Sequence, residues 1–523
     1  MKDGFLTRIA VKLSLCNRQS AALEMPFTRT MPRPLITILL IAVLAAGAAG
    51  QDTAAASAYL HNVMADPEMS PIVMMSLRTT GDKELLPLFV ALTRSSDKRV
   101  RLFATSSIAE LADADAAPAL LERLDSDPAM AVRAEAIAQL LALDAIPLGQ
   151  LVEALDIPDE NVQLIAARAL VHKDNFAAAV GALERLTGSN DKNIAAVARL
   201  ILLASGDSRQ LPHLREFVAG LDTNNTSPEV VGLLLGQIEE FHIAPAADVA
   251  RDVLAMNISS AMKIQAWRAL SATSDEVTDQ LADAIRNTQQ MPVKVQLLKI
   301  LASRSDAPRQ LARFVDSDDE AIAALSQFEL SRLGGASDAA DVTRAAMDLR
   351  HPVIVAYVLD QAARDIAAGS ANAGLYVPAL ISYLRSVRAE ANLMELGHFQ
   401  AARAATLLAN HGSDEALAAL KEILSQRYNA LVRATAAGVL KSVNPAVCDL
   451  MRPLLTSPYP ELSGDAALTL GKFGDRDAVT RLNEIVARPE RYEPALVVLA
   501  SWYLLKADQQ GLATIESLAQ TVQ

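Results

Sequence analysis

The stretch AVRAEAIAQLLALDAIP occupies residues 131–147. Its opening recurs as RVRLFATSSIAEL at 99–111 and as LVRATAAGVLKSV at 431–443. In each copy a Val is followed at once by Arg, four residues on by Ala, and eight residues on by Ile or Leu. Positions 0, +4 and +8 share one face of an α-helix. Each copy therefore reads as a helix with an apolar stripe whose middle residue is kept small.

The copies belong to a longer period. From Val100 onward, equivalent apolar anchors fall at Val132, Val162, Ile194, Val230, Met262, Val293, Ile322, Val353, Phe399, Val432 and Leu462. The intervals are 32, 30, 32, 36, 32, 31, 29, 31, 46, 33 and 30. Ala stands at +4 in Ala104, Ala136, Ala166, Ala198, Ala266, Ala436 and Ala466, and an Ile or Leu stands at +8 in every copy except that of Val353, which has Gln361. A small residue kept at the centre of an apolar stripe marks a place where another helix crosses closely. Upstream of the anchors lie further helical stretches such as DAAPALLERLDSD (115–127), NFAAAVGALERLTGSND (175–191) and SDEALAALKEILSQRYN (413–429). Between the two stretches stand Asp97, Asp127-Pro128, Asp159, Asn190-Asp191, Ser227-Pro228, Asp318-Asp319 and Pro460, residues that cap or start helices. Each unit of about 31 residues is thus helix A, a short turn and helix B.

Composition agrees. Of 523 residues 51% are apolar, but only 4% are aromatic; Ala and Leu are strong helix formers, suited to closely packed helices. The formal charge of −13 repels phosphate backbones, so no nucleic acid is expected as partner. The two cysteines, Cys16 and Cys448, cannot build a disulfide framework.

The V-R-x-x-A-x-x-x-L opening of helix B, carried by Val100-Arg101-Ala104, Val132-Arg133-Ala136-Leu140 and Val432-Arg433-Ala436-Leu440, resembles HEAT repeats, especially the short kind named after phycobilisome lyases. The resemblance covers roughly residues 55–520 and implies an all-α fold, an α-solenoid of about 13 stacked helix-turn-helix repeats with the B helices lining a concave side. The stretches 58–77 and 495–520 are expected as its first and last hairpins. The long interval from Val353 to Phe399 is expected to hold a longer helix pair or a loop, dividing the array into an N-terminal arm (51–366), an insertion (367–398) and a C-terminal arm with its cap (399–523).

Residues 1–50 read as an N-terminal extension and secretory signal. Arg29 and Arg33 precede an apolar run, Leu35 to Leu44, followed by small residues in MPRPLITILLIAVLAAGAAG (31–50). The expected start is Met25 or Met31 and the expected cleavage follows Ala48 or Gly50. The apolar run is shorter than the roughly 20 residues of a membrane span. The mature chain is expected in the periplasm or outside the cell, without stable membrane insertion; the alternative is an uncleaved N-terminal anchor.

No catalytic, cofactor-binding or metal-ligating motif stands out: the seven histidines form no HExxH, and GxSxG, P-loop and GxGxxG patterns are absent. The repeat arginines Arg101, Arg133 and Arg433 are expected to be structural, pairing with turn aspartates such as Asp97, Asp127 and Asp159. Exposed pairs of that kind contribute about 0–1 kcal/mol. Positions +5 and +6 of helix B should point away from the core. There Arg168, Arg199, Trp267, Arg268 and Lys299 combine cations with an aromatic, the composition of a binding hot spot. The expected function is a non-catalytic scaffold that binds a protein partner, of unnamed identity, through the concave B-helix surface, with no cofactor. The alternatives are an enzyme or enzyme subunit, which the resemblance to phycobilin lyases suggests, and a purely structural envelope protein.

Overall fold

The repeat is set at the start of each B helix. In the computed structural model, the side chains of Asp159, Asp191, Ser259, Asp319 and Asn429 accept hydrogen bonds from the backbone N–H groups of Val162, Ile194, Met262, Ile322 and Val432, at 2.9, 3.4, 3.3, 3.3 and 3.0 Å. Each acceptor stands three residues before an anchor and satisfies an N–H that the first helical turn leaves open. The other end is closed by a left-handed residue: Asp144 (φ 49°), Asp174 (φ 57°), Gly206 (φ 103°), Gly412 (φ 68°) and Gly474 (φ 73°) follow B helices.

The structure describes residues 51–66, 69–111, 114–221, 228–334, 338–387, 395–507 and 510–521; the expected signal segment lies outside them. Among the described residues there are helices and short 3-10 turns and no strand. The small +4 residues Ala104, Ala136, Ala166, Ala198, Ala266, Ala436 and Ala466 are all fully buried. They are the points where neighbouring helices touch. One hairpin cannot bury its own stripe, and stacking the next hairpin on it supplies a continuous core. This is α-solenoid construction, as the period implied.

The chain divides into two compact units, Met1–Ala182 with Leu470–Gln523, and Leu183–Thr469. In the second unit the B helices stack in sequence. Ser260–Thr273 packs between Pro228–Phe241 and Met291–Ala302, and Glu395–His411 packs between Pro352–Ala367 and Ala430–Leu440. Met291–Ala302 touches both Glu320–Gly334 and Pro352–Ala367, so three B helices meet at its flank.

Two anchors of the sequence register need correction here. Phe399 is 59% exposed, and the core face of its helix is Gln400, Ala404 and Leu408. In the preceding B helix the core face is Ile354, Val358 and Ala362, one residue beyond Val353. The register slips by one because Gln361 and Gln400 are buried polar residues that hydrogen-bond to neighbouring hairpins, Gln361 to Glu329 and Gln400 to the Pro352 carbonyl. The long interval is taken up by helices of 16 and 17 residues, Pro352–Ala367 and Glu395–His411, on either side of the A helix Tyr376–Val387. The rest of the expected insertion, 388–394, lies outside the described residues.

In the first unit the first and last described helices pack on each other. Gln51–Ala65 and Ser70–Thr79 lie against Pro494–Ala507, and Gly511–Thr521 lies against Leu86–Leu92. Trp502 is fully buried there, and its indole N–H donates to Asp82. His61 Nε2 lies 3.1 Å from Ser517 Oγ. The first and last hairpins therefore cover one another's apolar faces.

Candidate functional site

Four of the five expected partner-binding residues lie in the second unit, and Arg168, half-buried on Glu160–His172, lies in the first. Arg199 is committed to the turns on either side of its helix, donating to the Thr187 carbonyl (2.9 Å) and to Gln210 Oε1 (3.1 Å). Trp267, Arg268 and Lys299 fall together on adjacent B helices, Ser260–Thr273 and Met291–Ala302, and all three are half-buried. Arg268 reaches across to the neutral Gln296 Oε1 (3.2 Å). The Trp267 ring makes no ring or cation contact among the described residues.

The next B helices add charge. Glu329, fully buried on Glu320–Gly334, accepts from Arg332 (Nε 3.0 Å, Nη2 2.7 Å), from the Tyr357 hydroxyl (2.6 Å) and from Gln361 Nε2 (3.0 Å). A buried carboxylate with four donors is stable where a lone one would not be. Arg364 donates to Gln361, again a neutral group. Asp360 pairs with Arg403 of the following B helix at 2.6 Å. Lys299 has no hydrogen-bond or ion-pair partner among the described residues. Burial, together with the charges of Arg364 and Arg268, holds its ammonium below the ordinary lysine value against the opposing pull of Asp360 and Glu329. The patch thus holds five cations, Arg268, Lys299, Arg332, Arg364 and Arg403, against three carboxylates, Glu329, Asp360 and Asp365, the last accepting from the Tyr376 hydroxyl.

Beside it runs a groove of about 660 Å³ that sequence reasoning missed. Ile366 and Ala367 line one side, Phe399, Arg403 and Leu407 another, and Val443 one end. Phe399 and Val443, 59% and 73% exposed, are the most exposed of its large apolar side chains. Arg403 belongs to both the groove and the charged patch, so the two are continuous. The one signal for the groove in the sequence was the broken register at Gln361 and the 46-residue interval.

The three repeat arginines differ in their surroundings. Arg101 makes a buried bidentate pair with Asp127, one of the expected partners, at 2.8 and 3.1 Å, and also donates to the Ser95 and Ser96 carbonyls. It is not the exposed pair expected from the sequence. Arg133 binds the carbonyls of Leu124 (2.6 Å) and Asp125 (3.0 Å). Arg433 is exposed, and its charge acts on the next B helix at Asp465. Burial pushes the Asp465 carboxyl up to about 7, with Arg433 opposing the shift and Glu461 adding to it.

Among the described residues no three His, Cys, Asp or Glu side chains are grouped to hold a metal ion. No helix among them is long and apolar enough to cross a membrane.

The family model described as HEAT repeats matches residues 42–141 and 419–500, without singling out the short phycobilisome-lyase kind. None of the curated proteins matches the chain. Among solved structures, the chain is similar to a chain of the full-length AP-3 complex in an intermediate open conformation, itself a homology model. The identity is 13%, with 90% of this chain and 85% of that one covered and a TM-score of 0.32. It is also similar to a chain from a structure concerning a phosphorylation switch that controls the interaction between cadherin and beta-catenin, at 12% identity, with 81% and 98% covered and a TM-score of 0.23. Both scores are too low to bear on function. The chain is built of stacked helical hairpins in both units, and the HEAT-repeat pattern is present in two regions of it, one toward each end.

Proposed function

We propose that the chain is an exported, non-catalytic scaffold that captures a protein partner on the B-helix side of its second unit, the side the family resemblance makes concave. The observation that carries this reading is the continuity of the half-buried Trp267, Arg268 and Lys299 with a cationic patch and an exposed apolar groove. Interfaces of this composition concentrate binding in a few aromatic and arginine anchors with near-neutral contacts around them. The family commonly serves as an interaction scaffold. Export rests on the charged, apolar and small-residue order of residues 29–50.

The test is affinity capture from the envelope fraction of the source cell, with wild-type protein and the Trp267→Ala/Arg268→Ala variant side by side. Loss of a specific partner with unchanged helicity supports the reading; equal capture by both removes these residues from the site. N-terminal sequencing of the recovered chain reads export directly: a chain beginning near residue 49 or 51 supports it, and an intact Met1 overturns it.

A further inference from the structure

The patch on the B helices carries more positive charge than its own neighbours neutralise. Glu329 answers Arg332, and Asp360 answers Arg403. Arg268, Lys299 and Arg364 remain. Arg268 holds only Gln296, Arg364 holds only Gln361, and Lys299 holds nothing. Like charges at this spacing repel, and the repulsion is strongest where burial lowers the effective dielectric. In a chain whose total charge is −13, gathering these three cations, of which Arg268 and Lys299 are half-buried, is costly. An arriving carboxylate relieves the cost. The apolar groove begins one residue-pair away, at Arg403, and is open at Phe399 and Val443.

We infer that this surface binds an acidic peptide segment of the partner protein, with carboxylates set against Arg268, Lys299 and Arg364 and a bulky apolar side chain in the groove lined by Ile366, Phe399, Leu407 and Val443. Charge complementarity selects the acidic segment, and the groove requires that the segment carry an apolar residue. A nucleic acid supplies the charge without the apolar group. This inference rests on the scaffold reading: loss of capture by the Trp267→Ala/Arg268→Ala variant without any acidic-peptide binding leaves the scaffold standing and overturns this step alone.

The experiment uses the full chain and fluorescence anisotropy of a short labelled peptide with several Asp and Glu residues around one Phe. Matched probes carry Lys for the acids or Ser for the Phe, and an oligothymidylate of equal charge is a fourth probe. The expected result is saturable binding of the acid–Phe peptide that weakens with salt. Lys299→Glu and Arg268→Glu should each weaken it about tenfold or more, and Val443→Ser should weaken it while leaving the Ser-for-Phe peptide unaffected. Arg251→Glu, at an exposed position of the A helix Ala247–Ala255 in the same unit, should change nothing. If Lys299→Glu fails to fold, Lys299→Gln keeps the size of the side chain and still removes the charge. Equal binding of the Lys or the Ser peptide overturns the inference. So does an equal effect of Arg251→Glu, or oligothymidylate binding as tight as the peptide's.

Discussion

The Trp502 indole N–H lies 3.2 Å from Asp82 Oδ2, across 420 residues of sequence, and the Lys506 ammonium reaches the same oxygen at 2.6 Å. Asp82 also caps the short turn that follows it, accepting from the Glu84 N–H at 3.1 Å. One carboxylate thus fastens Pro494–Ala507 to the turn that follows Ser70–Thr79. Asp82→Ala leaves the Trp502 N–H without an acceptor and Lys506 without its counter-charge. The expected cost is about 1–3 kcal/mol, read as a lower denaturant midpoint with unchanged slope. Trp502 is fully buried, so a red-shifted emission at low denaturant should report release of this contact before the second unit unfolds.

The buried Arg101–Asp127 pair predicts an asymmetry between breaking and replacing it. Asp127→Ala strands a guanidinium that is only 8% exposed and should cost about 3–5 kcal/mol. The double variant Arg101→Met/Asp127→Leu removes both charges and should recover most of that loss. Thermal unfolding of the three proteins checks it; equal losses in the single and double variants would refute the argument.

Two glycines should respond to alanine with opposite signs. A Cβ on Gly438 would collide with the Ala402 carbonyl oxygen and come within 2.9 Å of Ala405 Cβ, because Glu395–His411 and Ala430–Leu440 cross closely there. Gly438→Ala should therefore destabilise by about 1–3 kcal/mol and spread two of the helices that border the groove. Gly236, inside Pro228–Phe241, has nothing within 4 Å of a Cβ, so Gly236→Ala should stabilise by about 0.4–1 kcal/mol. Paired melting curves decide the matter.

Asp465 predicts how stability depends on pH. Its carboxyl titrates near 7 in the folded chain and near 3.8 in its unperturbed state. Between those values the folded chain holds a proton that the unfolded chain has lost, so stability falls as pH rises from about 4 to 7 and then levels off. Asp465→Asn should flatten that part of the profile and raise stability at pH 8 by an amount on the order of 1–4 kcal/mol. Denaturant midpoints measured at pH 5 and pH 8 for both proteins supply the comparison.

The architecture was legible because the anchor, the small +4 residue and the cap three residues upstream all express one local rule. Val132, Ala136 and Leu140 are each fully buried, as their spacing requires. Phe399 was misread for a physical reason: Gln400 occupies a core position by hydrogen-bonding, and apolarity alone cannot see a buried amide. The same slip hid the groove, whose exposed Phe399 looked like core. Of the candidate site, Arg268 and Lys299 followed from helix position. Their meeting with Arg364 depends on Met291–Ala302 touching two later B helices, which no single-repeat pattern encodes. The pairing of the first and last described helices was illegible for the same reason, since it joins segments with no shared motif.

That pairing has a consequence for how the protein is made. Solenoids ordinarily fold as they emerge, each hairpin settling on the one before it. Here Gln51–Ala65, Ser70–Thr79 and Leu86–Leu92 must wait for Pro494–Ala507 and Gly511–Thr521, with the whole of residues 183–469 synthesised in between. At roughly 5–20 residues per second, the stretch from Thr79 to Pro494 alone takes about 20 to 80 seconds. Throughout that time the side chains destined to meet Trp502 stand uncovered on the nascent chain, an opening for chaperones and a hazard without them.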